Sequence, residues 1–147
     1  YITQTTLSVF DTQEIVDALE KKYPQILAPK KSDICYATSN RQISVQEIAQ
    51  NVDAFFVIGA FNSSNSIRLV ETAKRSGCDY SELIENVDNF DYKKLNQYQS
   101  IGLTASASAP EKQLNLFIDR VKESFNPEVV DYKEDENIVF KVPNFLN

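Results

Sequence analysis

Five small hydrogen-bonding side chains stand in a row at residues 62–66, which read Asn-Ser-Ser-Asn-Ser. They follow the apolar run 54–60 and precede residues 67–75, whose apolar side chains recur at helical spacing. A Ser or Asn at such a junction is typical of a helix N-cap, and this interpretation is favoured for any single cluster. The alternative is an anion site, because the N–H groups at a helix start bind phosphate oxygens.

Similar polar side chains occur at two further predicted junctions between a strand and a helix. Thr5 and Thr6 follow a stretch of strand-like composition, and Ser106 and Ser108 follow a later strand. Ligands of parallel α/β sheets bind beyond the carboxyl ends of the strands, so these hydroxyl groups predict one shared polyanion site. The chain has no GxxxxGK[ST] pattern, which excludes a P-loop.

Cys35 is the second candidate, and it lies in the polar stretch 33–42, Asp-Ile-Cys-Tyr-Ala-Thr-Ser-Asn-Arg-Gln. A lone cysteine is most often a small buried hydrophobe, but these polar neighbours leave metal ligation open. The chain contains no His, which excludes a Cys–His nucleophilic pair. Two cysteines are too few for a self-contained zinc site, so a metal at Cys35 needs ligands from elsewhere. Cys78 has no polar cluster around it, and we interpret it as a packing residue.

Composition narrows the class of protein. A chain of 147 residues with 42% hydrophobic residues is large enough for one compact core. A net charge of -6 argues against nucleic-acid binding, and no apolar stretch is long enough for a membrane span. We therefore expect a soluble, intracellular protein. The chain begins with Tyr1 and has no Met, which we interpret as a sign that it is part of a longer protein.

The elements that would position these residues alternate between strand and helix, which indicates an α/β layer on a mainly parallel sheet. Residues 25–42 lack periodicity and are predicted to form a loop with at most a short strand. A capping-box pattern at 44–47 predicts a helix start there, and a second pattern at 108–111 predicts another. The predicted strands are 1–6, 54–60, 80–84, 100–104 and 137–142, and the predicted helices are 11–23, 44–52, 67–75, 91–95 and the segment from 108 to about 121.

With these segments in place, the sequence resembles the C-terminal part of the 4-hydroxy-3-methylbut-2-enyl diphosphate reductase (LytB) family. Four motifs match in the order and spacing of that family over essentially the whole chain. They are the stretches 1–9, 34–42, 62–69 and 102–111. The resemblance implies an iron-sulfur enzyme of the non-mevalonate isoprenoid pathway that forms isopentenyl and dimethylallyl diphosphate.

The resemblance also assigns roles to individual residues. Cys35 is similar to the third thiolate ligand of a four-iron, four-sulfur (4Fe–4S) cluster. Thr5 is similar to the threonine that contacts the hydroxyl end of the substrate and helps to pass a proton. The implied contacts to the substrate's diphosphate are Thr6, Ser63, Ser64, Asn65 and Ser108. The implied electron donor is a ferredoxin or flavodoxin, and the implied location is the bacterial cytoplasm or the plastid stroma.

The sequence also departs from the family pattern. Phe10 stands where the family usually has an acid, and Ser106 stands where it usually has Gly. The two upstream cysteines, the glutamate and the histidines of the family are absent, so we expect a C-terminal fragment that is inactive alone. In this interpretation residues 1–30 are the last strand and helix of a preceding α/β domain, and residues 31–147 are the C-terminal domain. The alternative is a cluster-free α/β module that binds a phosphorylated metabolite.

Overall fold

The protein forms an α/β layer around a short parallel sheet. The structure is a computed structural model that describes residues 1–29 and 33–132. The predicted strand 137–142 lies outside the described residues. In chain order the elements are α1 (Val9–Lys22), α2 (Tyr36–Ala49), β1 (Ala54–Ile58), α3 (Ser64–Arg75), β2 (Tyr80–Ile84), 3-10 turns at Val87–Asn89 and Tyr92–Gln97, β3 (Ile101–Ala105) and α4 (Glu111–Phe125).

The sheet has the strand order β2–β1–β3, and both pairings are parallel. The strands are in register, so that Ile58, at the end of β1, lies opposite Ile84 on one side and Ala105 on the other. All three strands therefore end at the same level, and the loops that follow them share one edge of the sheet. The predicted α/β fold with a parallel sheet is confirmed.

The central strand β1 is buried on both faces, as its continuous apolar sequence predicts. Phe56 packs with Phe117 of α4 in one hydrophobic cluster. Phe55 and Val57 point to the opposite face and pack with Leu69 of α3 in a second cluster. The alternation of side chains along one strand thus supplies both cores.

Helix α2 begins at Tyr36, directly after Cys35, so the predicted loop over 25–42 is wrong for its last seven residues. The predicted capping box at Ser44 is also wrong, because Ser44 lies inside α2 and its Oγ donates to the carbonyl of Asn40 at 3.0 Å. A serine hydroxyl inside a helix can bond to the carbonyl one turn earlier, which leaves it no role as a cap.

The N-terminal segment differs from the prediction as well. Residues 1–7 form turns and irregular backbone in place of the predicted strand. Helix α1 begins at Val9, earlier than predicted, and the Ser8 side chain caps it by accepting from the Asp11 N–H at 3.2 Å. None of its residues is buried, and Ile15 is 61% exposed. The helix is thus the most loosely packed of the four described helices.

Two smaller differences concern the second half of the chain. The predicted helix 91–95 is a 3-10 turn over Tyr92–Gln97. Helix α4 begins at Glu111 with Pro110 as its N-cap, and no side chain caps it, so the predicted capping role of Ser108 is wrong. Its C-terminal residue Asn126 adopts the left-handed conformation (φ 46°), as is common for a residue that ends a helix. Within the ranges 1–29 and 33–132, no helix combines the length and the apolar character that crossing a membrane requires.

Candidate functional site

The carboxyl ends of β1 and β3 meet at a close contact around Gly59. The Ser106 N–H donates to the carbonyl of Ile58 at 2.8 Å, which brings the loop after β3 against the end of β1. A Cβ atom at Gly59 would overlap the Ser66 side chain, with 2.8 Å to its Cβ, and would lie 3.0 Å from Ser106 Oγ. Only a glycine fits here, and it allows both serines to approach the strand end.

The start of α3 lies beside this contact and contains the 62–66 cluster. Ser63 is the N-cap, and its Oγ accepts from the Ser66 N–H at 3.3 Å. The helix-cap interpretation is therefore confirmed for Ser63. The cap uses the hydroxyl oxygen as an acceptor, so the hydroxyl proton is still available to a ligand.

Asn65 is the residue of the cluster that a cap does not explain. It is only 6% exposed, and neither its Oδ1 nor its Nδ2 has a hydrogen-bond partner in the described part of the chain. The fully buried Ser66 Oγ and the buried Thr6 Oγ1 also have no hydrogen-bond partner among the described residues. Buried polar atoms are almost always paired, because burial without a partner costs about 1–3 kcal/mol. Ser81 Oγ and Gln113 Oε1 also lack a partner within the described ranges, but Asn65 and Ser66 are adjacent at the start of α3, the segment for which an anion site is predicted.

Two other predicted site residues are brought together in a second place. The Cys35 N–H donates to the carbonyl of Thr5 at 3.0 Å, and Cys35 is also the N-cap residue of α2. Its side chain makes no cap hydrogen bond and is exposed. The thiol is therefore accessible at the positive end of a helix dipole, next to the backbone of Thr5.

The predicted site residues differ in exposure. Thr5, Ser64 and Ser108 are exposed, Thr6 and Ser63 are half-buried, and Asn65 is buried. Ser108 Oγ lies 3.4 Å from Ser106 Oγ, which links it to the strand-end contact. Among the described residues, no hydrogen bond joins the Thr5–Cys35 pair to the Ser106–Ser108 pair.

The described residues contain one accessible thiol that fits the predicted role of a cluster ligand. Cys35 is an accessible free thiol, whereas the buried Cys78 Sγ contacts the carbonyls of Val52 and Tyr80. No group of three or more His, Cys, Asp or Glu side chains suited to a metal ion occurs in residues 1–29 and 33–132. Cys35 thus fits the predicted role of a single thiolate ligand.

Two arginines of α3 pair with a carboxylate of α1. Arg75 donates a hydrogen bond to Asp11, and Arg68 lies 3.8 Å from the same carboxylate. The hydrogen bond and the positive charge of Arg75 lower the pKa of Asp11 below its usual value. These pairs connect α1 to α3, and the donors that line the candidate anion site are neutral.

Three residues of the site have roles that sequence reasoning did not assign. Gly59 makes the close contact at the end of β1, and Ser66 contributes a buried hydroxyl beside it. Gln42 is 1% exposed, although glutamine is usually a surface residue, and both ends of its amide bind backbone groups near Thr5 and Thr6. The position of Gly59 directly after a buried strand is a sequence signal for its close contact, whereas nothing in the sequence marks Gln42 as buried.

Comparison with known proteins identifies relatives of this chain. The family model described as LytB protein matches residues 1–122. The chain is 48% identical over 148 residues to the 4-hydroxy-3-methylbut-2-enyl diphosphate reductase of Ruegeria sp. (strain TM1040), covering 99% of this chain and 46% of that protein. It is 46% identical to the reductase of the same name from Proteus mirabilis (strain HI4320), again covering 99% and 46%.

Solved structures give the same result. The structure of the E-1-hydroxy-2-methyl-but-2-enyl-4-diphosphate reductase from Plasmodium falciparum matches with a TM-score of 0.90 and 33% identity, covering 99% of this chain and 47% of that one. A structure of (E)-4-hydroxy-3-methyl-but-2-enyl diphosphate reductase matches with a TM-score of 0.58 and 28% identity, covering 83% and 42%. The chain thus spans about half the length of the relatives it matches. On its sequence motifs and its fold, the chain belongs to the LytB protein family.

Proposed function

We propose that this chain forms the substrate-binding half of a reductase that converts 4-hydroxy-3-methylbut-2-enyl diphosphate to isopentenyl and dimethylallyl diphosphate. The relatives at 46–48% identity have this reductase name, and each match covers 99% of this chain. The observation that carries the proposal is the buried, unpartnered amide of Asn65 at the start of α3. The complete activity requires the residues that correspond to the other half of these relatives.

The diphosphate would be held by neutral donors at the common edge of the sheet. Asn65 lies in the first turn of α3, where backbone N–H groups and the positive end of the helix dipole favour an anion. Oriented hydrogen bonds to a charged oxygen are worth about 1.5–3 kcal/mol each, so several of them bind a diphosphate without Lys or Arg. The proposed contacts are Thr6, Ser63, Ser64, Asn65 and Ser108.

The other end of the substrate would lie between Thr5 and Cys35. Cys35 would provide one thiolate to a 4Fe–4S cluster, which when bound would relay the two electrons of the reduction from an external donor. The Thr5 hydroxyl would hold the substrate's own hydroxyl group and pass a proton as that group leaves as water. The hydrogen bond between the Cys35 N–H and the Thr5 carbonyl supports this pairing, because it keeps the two residues adjacent. An external protein such as a ferredoxin or flavodoxin would donate the electrons, in the bacterial cytoplasm or the plastid stroma.

The domain division is part of the same proposal. Residues 1–30 would belong to the end of a preceding α/β domain, and residues 31–147 would form the C-terminal domain. The lack of buried residues in α1 supports this division. The apolar side chains of Phe10 and Ile15, which are 50% and 61% exposed, are the ones that a preceding domain would cover.

Asn65→Ala in the complete reductase is the sharpest test. Loss of one hydrogen bond to a charged oxygen should raise the Michaelis constant for the diphosphate substrate by about ten- to a hundredfold. Iron content should stay unchanged, because Asn65 and Cys35 lie on different helices. Cys35→Ser should do the reverse, lowering iron content and turnover while substrate binding remains.

Asn51→Ala provides the matched control, since Asn51 is an exposed asparagine whose side chain bonds only within its own helix end. It should leave both the Michaelis constant and the iron content as in the unmodified enzyme. If Asn65→Ala behaved like Asn51→Ala, the anion site would be refuted and the cluster at 62–66 would serve only as a helix cap. Binding of substrate by a protein that never retains iron would favour the cluster-free binding module.

A further inference from the structure

The segment before α1 is attached to the start of α2 at several points along its length. The Thr3 N–H donates to Asp33 Oδ2 at 2.8 Å, and the Thr5 carbonyl accepts from the Cys35 N–H at 3.0 Å. Further along, Gln42 binds the backbone on both sides of Ser8. Thr5 and Thr6 therefore lie in a stretch that is fixed at both ends to one helix and the residues just before it.

Gln42 makes the attachment at the far end. Its Oε1 accepts from the Val9 N–H at 3.0 Å, and its Nε2 donates to the Leu7 carbonyl at 3.0 Å. A primary amide offers one acceptor and two donors on a single planar group, so it can serve an N–H and a carbonyl of the same turn together. At 1% exposure the side chain has no water to replace these bonds, which makes them costly to lose.

The position of Gln42 on α2 connects these hydrogen bonds to Cys35, which lies at the start of the same helix. Cys35 is the N-cap of α2, and Gln42 lies seven residues further along the same helix. This separation corresponds to about 10 Å of rigid helix. Cys35 holds the Thr5 carbonyl at one end of this unit, and Gln42 holds Leu7 and Val9 at the other. The turn that contains Thr5 and Thr6 is thus held at both ends by hydrogen bonds to α2 and to its N-cap residue Cys35.

We propose that Gln42 is a positioning residue that sets the placement of Thr5 and Thr6 relative to Cys35. The inference rests on the proposed function, in which Thr5 and Cys35 act on the same end of the substrate. Gln42 touches neither of these side chains in the described contacts, and it acts only through the backbone of residues 7–9. A shift of about 1 Å in a reacting group is enough to slow an enzyme greatly, so holding this turn in place affects the rate.

Gln42→Met tests the inference, because methionine has a similar length and no group that replaces the amide. In the 147-residue chain, hydrogen exchange should become faster at the Val9 amide, which loses its acceptor, and at the Cys35 amide, whose partner Thr5 is released. In the complete reductase, kcat/KM should fall by about tenfold, the factor that corresponds to one neutral hydrogen bond, with iron content unchanged.

Two control variants on the same helix separate positioning from stability. Gln50→Met changes an exposed glutamine at the end of α2 and should alter neither exchange nor activity. Val45→Ala removes packing from the second hydrophobic cluster and should lower the melting temperature while preserving the Val9 and Cys35 protection relative to the rest of α2.

Three results would overturn the inference. The first is that Val45→Ala loses as much kcat/KM as Gln42→Met when the two variants have the same melting temperature. This result would assign the effect to general stability. The second is a loss of iron in proportion to activity, which would assign it to cluster binding. The third is unchanged hydrogen exchange at the Cys35 amide in Gln42→Met, since Thr5 would then be held in place without the Gln42 hydrogen bonds. A complete protein without any reductase activity would instead refute the proposed function, and the exchange data would still decide whether Gln42 holds the turn.

Discussion

At the scale of single residues, the candidate site depends on atoms that are buried before any ligand arrives. Asn65, Ser66 and Thr6 carry polar atoms without partners in the described chain, and each of them costs stability. A protein that keeps such groups in place has them ready for a ligand, so little has to be reorganised on binding. Gly59 supports this arrangement, because its lack of a side chain allows Ser66 and Ser106 to approach the strand.

Gly59→Ala should disturb both stability and the site. The added Cβ would overlap Ser66, and overpacking of this kind costs typically about 1–3 kcal/mol of unfolding free energy. Because Ser66 lies next to Asn65, the Michaelis constant for the substrate of the complete reductase should rise as well. Denaturant unfolding of the 147-residue chain and steady-state kinetics measure the two effects.

Gly102→Ala is the comparison for this prediction. Its Cβ would meet the ring of Phe55, 2.5 Å from Cε2, in the second core and away from the candidate site. It should lower the unfolding free energy without raising the Michaelis constant. Equal effects of the two glycine variants on substrate binding would contradict the special role given to Gly59.

At the scale of elements, the main contrast is between β1, which is buried throughout, and α1, which buries no residue. Helix α1 is attached mainly by polar contacts, namely the Gln42 bonds at its start and the pairing of Asp11 with Arg75 and Arg68. The Gln42 bonds are buried, but the ion pairs of Asp11 lie at the surface, where such contacts stabilise weakly and respond to salt and pH. The docking of α1 is thus expected to be the most easily loosened part of the described fold.

The attachment of α1 should weaken in acid. The hydrogen bond from Arg75 lowers the pKa of Asp11 in the folded protein, so this carboxylate stabilises the fold at pH values above its unfolded pKa. That contribution is lost as the pH falls through the lowered folded value, below about pH 4. Amide chemical shifts of α1, followed by NMR from pH 6 downwards, should move in this range while those of β1 stay constant.

Asp11→Asn should abolish this transition and should speed hydrogen exchange in α1 at neutral pH. Exchange in β1 should remain slow in the same sample, because its amides lie in the centre of the sheet. If α1 were as strongly protected as β1 in the unmodified chain, residues 1–30 would form one integrated unit with the rest, and the proposed domain division would fail.

The elements also show what the sequence can and cannot predict. Strand β1 was predicted because an uninterrupted apolar run has few other solutions. Helix α2 was half missed because two of its four buried positions, Thr38 and Gln42, are polar. The buried residues do recur at helical spacing with Val45 and Ala49, but a polar residue gives no sign of burial until its partners are known.

The same limit applies to the site. Ser63 was predictable as a helix cap, because a cap depends on local sequence and its acceptor role is confirmed. The contacts among Gly59, Ser66 and Ser106 depend on how two strands and a helix meet, which no local pattern records. The false strand over 1–6 has a similar cause, since Thr3 and Thr5 bond to the segment before α2 and not to a sheet.

At the scale of the whole molecule, the described residues contain one accessible thiol, whereas a 4Fe–4S cluster needs several ligands. The 147-residue chain should therefore retain no stable 4Fe–4S cluster after anaerobic reconstitution and desalting, because one thiolate cannot replace the full ligand set. Visible absorbance and iron counting provide the measurement, with Cys35→Ser as the control. About four irons per chain that persist in the unmodified protein and vanish in Cys35→Ser would contradict this prediction.

The three-stranded sheet has a consequence for how the chain behaves at high concentration. Strands β2 and β3 each pair with β1 on one side, and in the described residues neither has a strand on its other side. Strand β2 contains the negatively charged Glu82, which disfavours pairing with another strand. Strand β3 reads Ile-Gly-Leu-Thr-Ala and carries no charge. Uncharged edges are templates for strand pairing between molecules. Aggregation of the isolated chain should therefore start at β3, and Thr104→Lys, which changes a half-buried polar residue of that strand, should suppress it.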